Sequence, residues 1–380
     1  MHAIINARIF TPEGIVPGHT IVWENGRIVQ VCPDDQCPAG VDIQADLGGA
    51  LLVPGFIDLQ VNGGGGVLFN DDPSVEAIRQ IGEAHRQYGT TGFFPTLISD
   101  DEAKMQRAIA AVSDAMAQGV PGVLGIHLEG PFLNPEKRGV HDRAHIRPLE
   151  ERALDLLCSL SRGKTIVTLA PEMTRPDRIE TLVRRGVIVC AGHSLANYEQ
   201  TKQALDAGLC GFTHLFNAMP QLLSRDPGMI AAALEDARAW CGIIVDGHHV
   251  HPAMLRLALR AKTDGCFCLI TDAMPSVGQV DKNFRLGDEE IIVENGRCVT
   301  RDGVLAGSDL DMMSAVRNSV EMLGLSLETA LAMASRHPAA CVGLADQIGA
   351  LKPGLRADFV SLSEDLKVER VWSGGEPMHP

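Results

Sequence analysis

The chain has 380 residues, 45% hydrophobic and 21% charged, the balance of a globular protein with a large buried core and two or three domains. Its 33 basic and 48 acidic side chains leave a formal net charge of −15, which excludes a nucleic-acid partner and an anionic membrane surface, since both select a basic footprint. No run of about 18 apolar residues predicts a transmembrane helix, and the start MHAIINARIF lacks a signal-peptide pattern.

Residues 1–52 read as short strands over 3–9, 20–23 and 28–31, the last two joined at Asn25-Gly26, a hairpin signal. From residue 53 one pattern repeats. A short β-branched apolar run ends in polar or Gly residues, and a helical stretch usually follows. The predicted strands are 55–61, 92–98, 123–128, 165–170, 187–191, 211–215, 241–245 and 267–271. Helices are expected over 74–88, 101–118, 149–160, 177–185, 195–207, 229–238 and 252–262, with Ser74 capping the first and Pro252 opening the last. A hairpin around Asn295-Gly296 follows, then closing helices near 311–323 and 326–336. Short strands return over 348–351, 358–362 and 368–372.

Eight alternating units predict parallel strands closed into a (β/α)8 TIM barrel, with an open doubly wound sheet as the alternative. Neither end can bury enough apolar surface by itself. The expected organisation is therefore a small β-sandwich domain from residues 1–52 and 345–380, with the barrel, 53–344, inserted between them. The ten cysteines contain no CxxC pair and are expected as reduced thiols of a cytoplasmic protein. Cys266 and Cys268 alternate on one strand, which predicts core packing.

Polar residues stand at the ends of the barrel strands, where such folds do chemistry. They are Gln60, Asn62, Glu129, Glu172, His193, His214, His248, His249 and Asp272. Burying them is costly unless they are paired or bind metal. Glu129, His193 and His214 make the ligand set of an open zinc-type site, and Asp272 is placed to move the proton of a water. Hydrogen-bonded structural histidines are the competing explanation. His127 and Glu129 share one face of a strand, so either is the ligand and the other its support. The Gly-rich 63–66 lacks a phosphate-binding pattern, His85 and His145 suit packed or solvated roles, and Cys190 looks buried and inert.

Two segments carry a resemblance. Val53-Pro-Gly-Phe-Ile-Asp58 and Gly349-Ala-Leu-Lys-Pro-Gly-Leu-Arg-Ala-Asp358 are similar to the first barrel strand and the returning C-terminal segment of the metal-dependent amidohydrolases. His127-Leu-Glu-Gly-Pro131, Leu169-Ala-Pro-Glu172, Ala191-Gly-His-Ser194, Thr213-His-Leu-Phe-Asn-Ala-Met-Pro220, Asp246-Gly-His-His-Val250 and Thr271-Asp-Ala273 resemble the branch that deacetylates N-acetylglucosamine 6-phosphate. The resemblance implies one divalent metal ion per subunit on Glu129, His193 and His214, zinc first, with iron, cobalt or manganese as alternatives. It implies Asp272 as catalytic acid and base, and His141 steadying the amide carbonyl. Asn217, Ala218, Arg225 and His249 are implied to hold the sugar phosphate, some across a homodimer interface, and the 309–312 loop with Leu310 to close over the acetyl group.

Two positions depart from the family pattern. Gln60-Val-Asn62 replaces the His-x-His that binds a second metal, so that position is expected to be lost. His248-His249 doubles a single histidine, and its place before Val250 favours His249. The epimeric N-acetylgalactosamine 6-phosphate, a cyclic amide, and a non-catalytic sugar-phosphate sensor are the alternatives.

Overall fold

The computed structural model describes residues 1–262 and 266–378. Eight parallel strands pair in strict chain order: Phe56–Val61, Thr90–Ile98, Gly125–Glu129, Lys164–Leu169, Ile188–Ala191, Gly211–Phe212, Trp240–Ile243 and Cys266–Leu269. Just beyond the last strand, the Asp272 amide donates to the Gln60 carbonyl at 3.0 Å and the Asn62 amide to the Ala273 carbonyl at 2.9 Å. Val61 and Ala273 pair in parallel, so the first and eighth units meet and the sheet is a barrel, not an open doubly wound sheet. All eight expected strands are present. The sixth is reduced to Gly211–Phe212 because the backbone leaves extended geometry and reaches φ 35° at His214.

Helices follow most strands, and their starts obey local chemistry. The Ser74 hydroxyl accepts from the Ala77 amide at 3.1 Å, and Asp101 caps Glu102–Ala117 in the same way through Lys104. The helix expected from 195 begins later, at Tyr198, because Asn197 and Gln200 form a reciprocal capping box there. The stretch expected as a helix over 149–160 holds only Ala153–Leu157, which has no side-chain cap. After the barrel come Met312–Glu321, Leu327–Ala334 and Arg336–Cys341, the last two broken apart at Ser335. Among the described residues no helix is long and apolar enough to cross a membrane.

Both termini contribute to one mixed sheet of eight strands. It runs Glu376–Met378, Val368–Ser373, Phe359–Leu362, Leu51–Pro54, His2–Thr11, Gly14–Glu24 and Arg27–Pro33, and forks at His2–Thr11, where Asp42–Asp46 also pairs. Its own core contains Ile4, Ile21, Trp23, Leu52, Phe359 and Trp372. Residues 348–351, expected as a strand, form none. The hairpin expected around Asn295 is the centre of a larger unit, a four-stranded antiparallel sheet of Phe284–Leu286, Glu289–Glu294, Arg297–Val299 and Leu305–Ser308. Its last strand returns to the barrel: the Ser308 amide donates to the Asp272 carbonyl at 2.9 Å and the Met274 amide to the Ser308 carbonyl at 3.0 Å.

Phe359 comes from the C-terminal piece and meets Trp23 of the N-terminal piece edge-on, with ring centroids 5.3 Å apart. Truncating it opens a cavity between two segments that the whole barrel separates in sequence. Phe359→Ala should lower the unfolding free energy by about 3–5 kcal/mol, measured by urea denaturation. A loss below about 1 kcal/mol would show that this contact does not join the two pieces.

Candidate metal and catalytic centre

The carboxyl ends of the barrel strands surround a cavity of about 310 Å³. Glu129 is the last residue of the third strand, and His193 and His214 lie two residues past the fifth and sixth. Both histidines and Asp272 hold left-handed backbone, with φ of 49°, 35° and 53°. That conformation is costly for residues with a Cβ and marks strain kept at a functional position. It swings all three side chains off the strand direction into the barrel mouth.

Three donor atoms converge there. His193 Nε2 lies 3.1 Å and His214 Nε2 2.9 Å from Glu129 Oε1, and the two imidazole nitrogens are 3.0 Å apart. His193 Nδ1 donates to the Lys137 carbonyl at 2.8 Å, which leaves the lone pair on Nε2 facing the cluster. All three residues are buried. Burial would raise the Glu129 carboxyl, but bonds from His193 and His214 outweigh it and keep it well below the usual range. Burial would lower His214, but its bond to Glu129 lifts it. The donor set of two imidazoles and one carboxylate suits a zinc-class divalent ion, which would bind the deprotonated ligands.

His127 takes no part in this cluster. Its Nδ1 donates to the Leu59 carbonyl at 3.0 Å and its Nε2 meets the Thr168 hydroxyl at 2.8 Å. Of the two residues between which the sequence left the choice open, Glu129 is the one that stands with His193 and His214. Glu172 is likewise structural, accepting from Ser194 at 2.6 Å and from Asn134 at 2.9 Å.

Asp272 faces the cluster, and the two unusual first-strand amides serve it. Asn62 Nδ2 donates to Asp272 Oδ1 at 2.6 Å and Gln60 Nε2 donates to the same oxygen at 3.0 Å. Burial, then the charge of Glu129, pushes the Asp272 carboxyl up to about 6, while the Asn62 bond opposes the rise. Gln60 Oε1 and Asn62 Oδ1 are left without partners. Two residues earlier, buried Asp58 accepts from the Thr271 hydroxyl at 2.6 Å, and burial raises it to about 7.

His141 is buried with its ring edge-on to His193, centroids 4.5 Å apart. The Ser99 amide donates to its Nδ1 at 3.2 Å and the Ser99 hydroxyl stands 2.8 Å from the same nitrogen; with Nδ1 accepting from the amide, the ring proton is assigned to Nε2. Burial, then His193, pushes the imidazole down to about 3, so it stays a neutral donor. Further round the wall, His249 Nδ1 donates to Asp246 Oδ2 at 2.6 Å. Asn217 donates to the His214 carbonyl at 3.1 Å, and Ala218 holds φ 51°. His248 points elsewhere and meets the Asn295 carbonyl at 2.9 Å, tying the tip of the inserted sheet to the seventh loop.

Asn62, Glu129, His141, His193, His214, Asn217, Ala218, His249 and Asp272 all line the cavity. Arg225 does not; it stands in the exposed stretch 221–226 beside Leu222 and Leu223. Leu310, expected at the acetyl group, is buried with its amide on Ser308 Oγ at 3.0 Å and is not among the residues lining the cavity, whose wall in this part of the chain is Val304, Leu305 and Gly307. Sequence reasoning missed Lys137, which lines the cavity with Nζ 3.1 Å from the Met219 carbonyl. Its signal was a basic residue four positions before His141, in a loop dense with charge.

A parallel barrel with this buried Glu-His-His group and a neighbouring aspartate defines a metal-dependent hydrolase. The chain belongs to the amidohydrolase family, whose model matches residues 51–378, while residues 1–52 match the NagA composite domain. It is a carbon–nitrogen hydrolase. An N-acetylgalactosamine-6-phosphate deacetylase of Shewanella sp. (strain ANA-3) is 45% identical over 86% of this chain and 83% of that protein. The human N-acetylglucosamine-6-phosphate deacetylase is 38% identical over 88% of this chain and 85% of its own. Among solved structures, N-acetylglucosamine-6-phosphate deacetylase from Pasteurella multocida superposes with a TM-score of 0.96 at 33% identity, covering all of both chains. A mutant of the Mycobacterium smegmatis enzyme in complex with N-acetyl-D-glucosamine-6-phosphate gives 0.89 at 32% identity, covering 99% of this chain and 98% of that one.

The Asn62 bond favours the charged form of Asp272, so removing it raises the carboxyl further. Asn62→Ala should move the acid limb of the kcat/KM profile to higher pH, because a base must be deprotonated to act. A profile superimposing on that of the parent would remove Asn62 from this role.

Proposed function

We propose that the protein hydrolyses N-acetylglucosamine 6-phosphate to glucosamine 6-phosphate and acetate. The observation that carries this is the meeting of three groups on one wall: the Glu129, His193 and His214 donors, the base Asp272, and the neutral N–H of His141. Glu129, His193 and His214 would hold a divalent ion, zinc first, which when bound would supply an acidified water and a polarised amide carbonyl. Asp272 accepts the proton of the attacking water and returns it to the departing amine, which a carboxyl raised towards neutrality does well. His141 Nε2–H donates to the carbonyl oxygen as negative charge develops there. Asn62 and Gln60 hold Asp272 in place, and their amide character leaves no second metal position.

Lys137 and His249 supply the cavity with the donors a sugar phosphate needs, together with Asn217 and the Ala218 backbone. Arg225 cannot act from its own chain in this conformation. Its place on an exposed strip with Leu222 and Leu223 supports a homodimer in which it completes the partner's phosphate site. Ten free thiols support a reducing compartment, the cytoplasm. The separate core of the terminal sheet supports dividing the chain into 1–52 with 345–380 and an inserted barrel, 53–344.

The galacto epimer is the second reading, favoured by the names of two relatives, at 45% and 36% identity. The ring-amide alternative has no comparable support. Acetate release from both epimers, with and without the phosphate, tests the proposal; no release from either phosphorylated sugar would refute it. Asp272→Asn should keep substrate binding but lower kcat roughly 10²- to 10⁴-fold, and near-normal turnover would take Asp272 out of the reaction. Arg225→Ala should raise KM for phosphorylated sugars roughly 10- to 100-fold, the worth of a charge-assisted bond. An equal rise for unphosphorylated sugars would refute its phosphate role.

A further inference from the structure

The far end of the barrel holds a second group of metal-type donors, unused by the deacetylation. Cys266 and Cys268 stand two apart on the eighth strand and so face one way. His337 and Cys341 stand four apart on the closing helix Arg336–Cys341, also on one face. The helix packs against that strand. The sulfurs of Cys266, Cys268 and Cys341 all lie within 4.8 Å of one another, with Cys268 and Cys341 at 3.5 Å. A tetrahedral ion with sulfur bonds of ~2.3 Å needs sulfurs about 3.8 Å apart, which this spacing brackets. His337 stands outside that group of three sulfurs. Its Nδ1 donates to the Phe267 carbonyl at 3.0 Å, which leaves the lone pair on Nε2.

We propose that Cys266, Cys268 and Cys341 form a second metal site for a soft divalent ion of the zinc class, with a water completing the tetrahedron. The donor set comes from one strand, in the pattern Cys-x-Cys, and one helix. Thiolates select soft ions, whereas the carboxylate-containing cavity site accepts harder ones. Cys268 is buried while Cys266, His337 and Cys341 are partly exposed, which gives the ion a route in and the thiol protons a route out. Asp272 lies four residues past Cys268, roughly 13 Å along an extended chain, so the role is structural: the ion fastens the last helix to the last strand.

The test uses reduced full-length protein carrying Glu129→Gln, which disables the cavity site, titrated with Co²⁺ without oxygen. One equivalent should bind with the intense near-ultraviolet absorption of thiolate-to-cobalt charge transfer. The band should vanish in Cys268→Ser/Cys341→Ser. The protein without Glu129→Gln should show the same band, since Glu129, His193 and His214 contain no sulfur. Saturating Zn²⁺ should also protect three thiols from alkylation, a readout that needs no cysteine variant. Absence of the band, or its survival in the double variant, overturns the proposal. So does loss of two hydrogens from the Cys268–Cys341 pair with no metal bound, which makes the pair a disulfide.

Discussion

Everything at the mouth of the barrel depends on the seam where the first strand meets the eighth. Alternate residues on and just past the first strand, Asp58, Gln60 and Asn62, all reach towards Thr271 and Asp272. The backbone seam alone would close the cylinder, but these side chains decide where the base sits. Asp58 is a buried carboxyl with no ion-pair partner among the described residues, which is expensive. Its bonds from the Thr271 hydroxyl and from two backbone amides offset that cost and fix the residue before the base. Gln60 and Asn62 then hold Asp272 Oδ1, leaving its other oxygen free for chemistry.

Electrostatics at the mouth runs against the protein as a whole. A net charge of −15 repels an anionic sugar phosphate at long range, yet salt screens exposed charges beyond about 8–10 Å. What the substrate meets inside that radius is local. Lys137 stands on the wall, His141 is kept neutral and aims its N–H inwards, and His249 is braced by Asp246. The acidic exterior and the proposed anion-binding interior are therefore compatible, because they act over different distances.

The barrel was legible because burial on both faces writes each parallel strand as an apolar run, and eight such runs leave few other folds. The site was legible for the same reason: Glu129, His193, His214 and Asp272 break those runs at their ends. Three things were not. Sequence spacing could not separate His127 from Glu129, since the difference lies in Leu59 and Thr168, which are distant in the chain. The helix expected over 149–160 has the right periodicity but no capping side chain, so only five residues of it form. The pairing of Cys266 and Cys268 with Cys341 spans more than 70 positions, and strand alternation by itself predicts only a packed core.

The backbone at His193, His214 and Asp272 has a bearing on how this protein can change. At these positions the main chain occupies a region where glycine and asparagine are comfortable and branched residues are not. Random replacement there alters the path of the chain as well as the chemical group it carries. New specificities are therefore expected to evolve in the surrounding loops, whose geometry tolerates exchange, while the three anchor positions stay fixed by conformation as firmly as by chemistry.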